Sequence, residues 1–340
     1  MTRPPVCIDR LLPRDLRRFA LADTTGQVVR AIIVFRKMWV NGATLRVRFL
    51  DGTEDQRAIA RKQALWWTEH ANLTFEFGDD ADAEIRVTFD PHLGAWSYIG
   101  TDCAQIPLDQ PTMNLGFLDG GTAAHEFGHA IGLAHEHQNP AGGIQWNEPV
   151  VIHDLSGPPN NWDEQTIRHN VLEKYAVDQI RGTTFDPDSI MLYAFPATWT
   201  LTGLATHVND TLSALDIAFI AGEQAYPGRA EPEDTALPLP VDGSGVRASI
   251  GQPGEEDLYR FTVERGGRYL VETHGRTNVA MRLYGPGSHT ALIGEDDDSG
   301  WGMNARIAAL LTPGDYYVQV RHADPADGTG TYSVRVRSQH

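Results

Sequence analysis

The spacing of apolar and polar residues changes several times along the chain, and each change marks an element. TLRVRFL, Thr44 to Leu50, alternates with a period of two and stops at Asp51-Gly52, which predicts a strand closed by a turn. EDQRAIARKQALWWTEHA follows, with Ile59, Leu65, Trp66 and Ala71 near helical spacing. LTFEF and AEIRVTF read as two further strands, and GAWSYIG as a short one. The histidine-rich stretch from His125 reads as a helix. Residues 1 to about 36, ahead of all these, are Arg- and Pro-rich at the start and weakly periodic.

From Arg229 the pattern changes. RAEPEDTALPLP has no apolar periodicity and reads as a linker over residues 229–240. Beyond it the helical patterns vanish. DLYRFTV, GRYLVETH, AMRLYG, DYYVQVRH and TYSVRVR are short alternating strands separated by Gly, Pro and Asp, which predicts a β-sandwich over residues 241–340. The expected organisation is an N-terminal segment (1–36), an α+β domain (37–228), the linker and the sandwich.

Composition narrows this picture. A length of 340 residues favours two domains, and a net charge of −17 argues against nucleic acid or an anionic membrane as partner. No apolar run is long enough to span a bilayer. The N-terminus lacks the apolar core of a secretory signal, which leaves export or cytoplasmic residence open. Cys7 and Cys103 are the only cysteines, so a disulfide framework is excluded, while one bridge or two free thiols remain open.

The chemistry concentrates in HEFGHAIGLAHEHQNP. Residues four apart on a helix share a face, so His125 and His129 can present two imidazoles to one Zn²⁺ ion. Gly132 can take positive φ and turn the chain back, letting His135 supply a third ligand. Three protein ligands leave a position for water, the mark of a catalytic site. Zinc lowers the pKa of that water from about 15.7 toward about 7, and Glu126, beside His125, can act as its general base. These parts describe peptide-bond hydrolysis. His137 has a different offset and reads as a neighbour of the site or a surface residue.

This extended motif resembles that of the metzincin metallopeptidases, and SIMLY, with Met191, resembles their methionine turn. The astacin branch (M12-type) is the nearest likeness, in a cysteine-poor bacterial form. Glu136 follows the third histidine, Tyr193 ends SIMLY, and GAWSYIG resembles the rim strand of the astacin cleft. Astacins carry a half-cystine where Ala95 stands, so their substrate preference is not carried over. The resemblance implies a twisted mixed sheet, a long zinc-binding helix and a methionine turn. It also implies a Tyr193 hydroxyl that stabilises the oxyanion, and a peptide paired with the strand at Trp96, Ser97 and Tyr98. It covers roughly Lys37 to Pro227 and implies an extracellular enzyme, although no signal peptide is present.

GEDDDSG and PGDYYVQV give the C-terminal segment a resemblance to the bacterial pre-peptidase C-terminal domain. The carboxylates of Glu295, Asp296, Asp297 and Asp298 suit Ca²⁺, although a solvated turn is the plainer reading. Residues 1–36 stand where related enzymes carry a pro-segment. Within it, RPPVCIDR offers Cys7 as an inhibitory fourth zinc ligand, its thiolate favoured by Arg3 and Arg10; a free thiol or a bridge to Cys103 are the alternatives. The expectation is a monomeric zinc endopeptidase acting on proteins or peptides, with one Zn²⁺ per chain. The rivals are a binding protein that works through the sandwich and keeps a vestigial metal site, and a zinc hydrolase of other amides or esters.

Overall fold

The computed structural model describes residues 7–10, 33–34, 37–139, 142–158, 160–174, 180–181, 185–222, 225–227, 236–324 and 328–339. Most of the expected pro-segment, Arg3 included, lies outside these residues. The chain divides into two compact units, Met1–Met38 with Leu45–Ala225, and Trp39–Thr44 with Tyr226–His340. The sequence placed Trp39–Thr44 with the first unit. Those residues instead bond to the chain after residue 225: the Trp39 amide donates to Tyr226 Oη (3.1 Å) and Asn41 Nδ2 to the Pro227 carbonyl (3.1 Å).

The first unit is α+β. In chain order its elements are β1 (Ile8–Arg10), β2 (Ile33–Val34), β3 (Thr44–Phe49), α1 (Glu54–Thr68), β4 (Thr74–Gly78), β5 (Ile85–Thr88), β6 (Ala95–Tyr98) and β7 (Met113–Leu115). Then come α2 (Thr122–Ala130), α3 (Glu148–Ser156), α4 (Glu164–Ile167), β8 (Ile180–Arg181) and α5 (Ala214–Ile220). A six-stranded mixed sheet has the order β1-β6-β7-β5-β3-β4; β6 and β7 are antiparallel, while β5 pairs parallel with both β3 and β7. α3 buries Val151 and Leu155, four residues apart, in a second core with Ile144, Trp162, Leu192, Phe195 and Trp199.

The histidine helix α2 is held by α1. Thr53 and Gln56 form a capping box that starts α1. α2 begins at Gly121 with no side-chain cap of its own, so its first amides need a partner from elsewhere. Gln63 of α1 supplies it across the interface: its Oε1 accepts from the Ala124 amide (3.1 Å) and its Nε2 donates to the Gly120 carbonyl (2.7 Å). One turn on, the buried Trp67 donates Nε1–H to the Ala124 carbonyl (2.7 Å). α2 is enclosed on every side: each residue from Ala123 to Ala130 is buried, the polar His125, Glu126 and His129 included.

The second unit is a two-sheet sandwich with β9 (Leu237–Pro238), β10 (Val246–Ile250), β11 (Glu256–Val263), β12 (Gly267–Gly275), β13 (Val279–Tyr284), β14 (Leu292–Asp296), β15 (Arg306–Leu311), β16 (Gly314–His322) and β17 (Gly330–Ser338). Its sheets run β10-β17-β12-β15 and β14-β13-β16-β11-β9. Alternate residues such as Tyr259, Phe261 and Val263 of β11 and Tyr332, Val334 and Val336 of β17 fill the core. β9 pairs with β11, and Leu239 is buried, so part of the expected linker is built into the sandwich.

Gln63→Ala leaves the first turn of α2 without its partner in a buried setting. It is expected to cost about 1–3 kcal/mol of stability, read as a lower midpoint in urea unfolding. A change below about 0.5 kcal/mol, the scale of an ordinary surface substitution, would contradict the cross-helix cap.

Candidate metal centre and cleft

His125 and His129 lie one turn apart on α2, and their Nε2 atoms are 3.0 Å apart. Gly132 has φ +107°, a conformation that suits glycine, and there the chain leaves the helix. The turn returns His135 to the same point, with its Nε2 3.2 Å from that of His129. Cys7 Sγ completes the group, 2.8 Å from His125 Nε2 and 3.2 Å from His135 Nε2. All four side chains are buried, and their ligand atoms lie within 4.8 Å of one another.

The outer nitrogens explain why this cluster suits a cation. His125 Nδ1 lies 2.7 Å from the Ile190 carbonyl and His129 Nδ1 2.8 Å from the Leu133 carbonyl. A carbonyl only accepts, so each Nδ1 carries the hydrogen and each neutral ring turns an Nε2 lone pair inward. Lone pairs 3.0 Å apart in a buried site repel. The thiol hydrogen can relieve one nitrogen, whereas a divalent ion relieves all of them. Tetrahedral zinc with bonds of about 2.0–2.1 Å places its nitrogen ligands roughly 3.4 Å apart, near the spacing found here. The residues present fit Zn²⁺.

Met191 is packed beneath α2. A Cβ added to Gly128 would stand 2.5 Å from the Met191 Sδ, so glycine is what lets the helix approach. The Met191 carbonyl accepts from the Glu136 amide (2.9 Å), fixing the backbone beside His135. Glu136 is itself buried, accepting from the Asp186 amide (3.0 Å) and Asn139 Nδ2 (3.1 Å). Burial pushes its carboxyl up to about 8, against the pull of those two hydrogen bonds. The Asp216 carboxylate receives Ser189 Oγ (2.7 Å) and the Ile190 amide (2.9 Å), which anchors the chain that carries the His125 partner.

Glu126 is fully buried between the two helical histidines and lines a cavity of about 230 Å³ together with Cys7, His125, Tyr193 and Leu192. Tyr193 Oη donates to the Cys7 carbonyl (2.5 Å) and lies 3.6 Å from its Sγ. His137 is buried, stacks on His135 with ring centroids 5.1 Å apart, and has its Nε2 2.8 Å from the Asn170 carbonyl. It is a neighbour of the cluster and not one of its converging groups.

The rim strand β6 does not face open solvent. β1 pairs with it in parallel, Ile8 opposite Trp96, Asp9 opposite Ser97 and Arg10 opposite Tyr98. The Arg10 guanidinium stacks 3.7 Å from the Trp96 ring centroid. Sequence reading placed Cys7 near the metal but gave no strand to residues 8–10, because three residues carry no period. It also missed Phe117, Asp119, Val208 and Asn209, which line the cavity from loops. Neither Cys7 nor Cys103 is in a disulfide, so the bridge between them is not formed.

Calcium at Glu295 to Asp298 gains no support. Among the described residues the one cluster able to hold a metal is that of Cys7, His125, His129 and His135. Glu295 instead pairs with Arg282 (3.4 Å), and Asp296 accepts from the Ser299 and Arg306 amides (3.1 and 2.7 Å), closing the turn that follows β14.

Comparisons with known proteins place this geometry. Residues 33–216, more than half of the chain, match the model of the Astacin peptidase family, and residues 255–322 match that of the Bacterial pre-peptidase C-terminal domain. The chain belongs to the astacin family and is by class a zinc metalloendopeptidase. Among similar proteins, the structure of myroilysin is 35% identical with a TM-score of 0.55, covering 58% of this chain and all of that one. Bone morphogenetic protein 1 of Xenopus laevis is 28% identical over 158 residues, 46% of this chain. Nematocyst expressed protein 6 of Nematostella vectensis is 25% identical over 199 residues, 55% of this chain and 61% of its own length. The chain spans only about a fifth, 21%, of the Xenopus relative. No helix among the described residues is long and apolar enough to cross a membrane.

Cys103 is wholly buried, and that burial pushes its thiol up to about 12. At pH 8 its thiolate fraction is then about one part in 10⁴. Iodoacetamide at pH 8 should leave Cys103 unmodified in the folded protein and label it after unfolding in guanidinium, as read by peptide mass mapping. Rapid labelling in the folded state would contradict its placement.

Proposed function

We propose that this chain is an endopeptidase that cleaves extended polypeptides in the cleft beside α2, and that residues 7–10 hold it latent. The observation that supports this best is the convergence of the His125, His129 and His135 side chains, with His125 and Glu126 lining one cavity. Those three imidazoles would hold one Zn²⁺. When bound, the ion supplies Lewis acidity, lowering the pKa of a coordinated water and polarising the scissile carbonyl.

The chain's own residues carry the proton. Glu126 takes one from the attacking water as its oxygen bonds to the carbonyl carbon. It then delivers that proton to the amide nitrogen as the C–N bond breaks. Tyr193 Oη, given up by the Cys7 carbonyl, is free to donate to the carbonyl oxygen as negative charge develops there. Trp96, Ser97 and Tyr98 orient the peptide by main-chain pairing along β6, the edge that β1 now covers.

Latency has two supports in one short stretch. Cys7 stands where a fourth ligand would stand, and Ile8–Arg10 occupies the strand edge a substrate would need. Loss of both contacts together opens the centre and the rim. A peptidase domain followed by a C-terminal sandwich, with the N-terminal segment removable, is part of this proposal. So is a monomeric state.

Zinc-loaded full-length protein incubated with unfolded casein should release peptides, and a chelator should stop it. Glu126→Ala is expected to retain zinc while losing about 10²–10⁴-fold in rate; turnover near that of the parent would remove Glu126 from this role. Cys7→Ala should be more active than the parent chain at equal zinc content. An unchanged rate would overturn the latency.

A further inference from the structure

The cavity beside Glu126 has an uneven wall. Phe117, Ile190, Leu192 and Val208 make much of it apolar, and its polar residues beyond the metal centre include Thr122, Asn209 and Asp119. No lysine or arginine lines it among the described residues, while two carboxylates do, Asp119 and Glu126.

The two carboxylates differ in what holds them. Glu126 is fully buried on the second turn of α2, whereas Asp119, before the helix begins, is exposed. The Asp119 backbone carbonyl accepts from Thr122 Oγ1 (2.6 Å) and caps the turn into α2. Its carboxylate makes no hydrogen bond or ion pair with any described residue. Asn209, by contrast, is committed, donating Nδ2–H to the Ser189 carbonyl (2.8 Å) and the Pro187 carbonyl (3.2 Å).

Placement sets the length of the side chain that fits. α2 starts at Thr122, four residues before Glu126, which puts Asp119 more than about 6 Å along the axis from the general base. A group bound next to Glu126 must cross apolar surface before it meets Asp119. Arginine and lysine have that form, an aliphatic stem with a cationic head. An acidic side chain would meet two carboxylates and no cation. Short polar side chains would leave the apolar wall wet.

We infer that Asp119 is the specificity-determining residue of a subsite that takes an arginine or lysine side chain of the substrate next to the scissile bond. This rests on the peptidase reading above and adds the substrate class to it. The Cys7 thiol borders the same cavity, so the subsite is complete only when residues 7–10 withdraw.

The test is the cleavage pattern of zinc-loaded, full-length Cys7→Ala protein on unfolded casein, mapped by mass spectrometry. It is paired with kcat/KM on two peptides that differ only by Arg or Glu at the enriched position. Arg and Lys should be enriched at one fixed position beside the cut, with the Arg peptide favoured about fivefold or more, the scale of one partly exposed ion pair. Asp119→Asn should shrink that preference toward unity, and Asp119→Lys should reverse it in favour of Glu. Both replacements are at an exposed side chain without partners, so the fold and zinc content should persist. Cleavage with no basic position, or a preference that survives both substitutions, overturns the subsite and leaves the peptidase reading standing. Absence of cleavage by every zinc-loaded form overturns the peptidase reading and the subsite with it.

Discussion

Three imidazole nitrogens held within 4.8 Å of one another in a buried site are the constraint on which the first unit turns. Such a cluster persists only if every ring is held in one tautomer and one orientation, and the surrounding structure serves that end. The Ile190 and Leu133 carbonyls take the outer hydrogens of His125 and His129. Asp216 and Ser189 hold the chain that presents Ile190, and Met191 fills the space that Gly128 leaves under α2. Gln63 and Trp67 hold α2 itself, so α1 contributes to the centre without touching it. The donor set suits a cation because the fold already holds the imidazoles pointed at one place.

In the proposed enzyme Cys7 extends the same logic to control. Its sulfur meets the histidines while its carbonyl takes the Tyr193 hydroxyl, and the next three residues add a strand to β6. In the proposed enzyme, one short stretch therefore withholds the metal position, the oxyanion donor and the substrate-pairing edge together. The Arg10 guanidinium over Trp96 fixes the end of that stretch. The cavity beside Cys7 is walled by loops on either side of α2 and by the methionine turn.

What could be read from the sequence follows from periodicity and from motif spacing. β3, α1 and the long sandwich strands β11, β12, β16 and β17 carry clear patterns, and the astacin-like fold with a C-terminal all-β domain was legible from them and from the zinc motif. β1 has three residues and takes its shape from pairing with β6, which no local signal reports. β15, RIAALL, lacks strict alternation because Leu310 is exposed beside buried Leu311. α3 and α5 are short and lie in stretches where tertiary packing outweighs pattern. The cavity wall draws on residues near 117, 190 and 208, joined only by folding, and a single sequence holds no trace of that convergence. The unpaired charge of Asp119 is visible only once its surroundings are known.

Zinc K-edge X-ray absorption of the full-length, zinc-loaded protein addresses the central claim most directly, since it counts the atoms around the ion without reference to activity. Three nitrogen scatterers at about 2.0–2.1 Å and one sulfur at about 2.3 Å are expected. The sulfur shell should be replaced by oxygen in Cys7→Ala. A first shell of nitrogen and oxygen alone in the parent chain, or a sulfur shell that survives Cys7→Ala, would contradict the account.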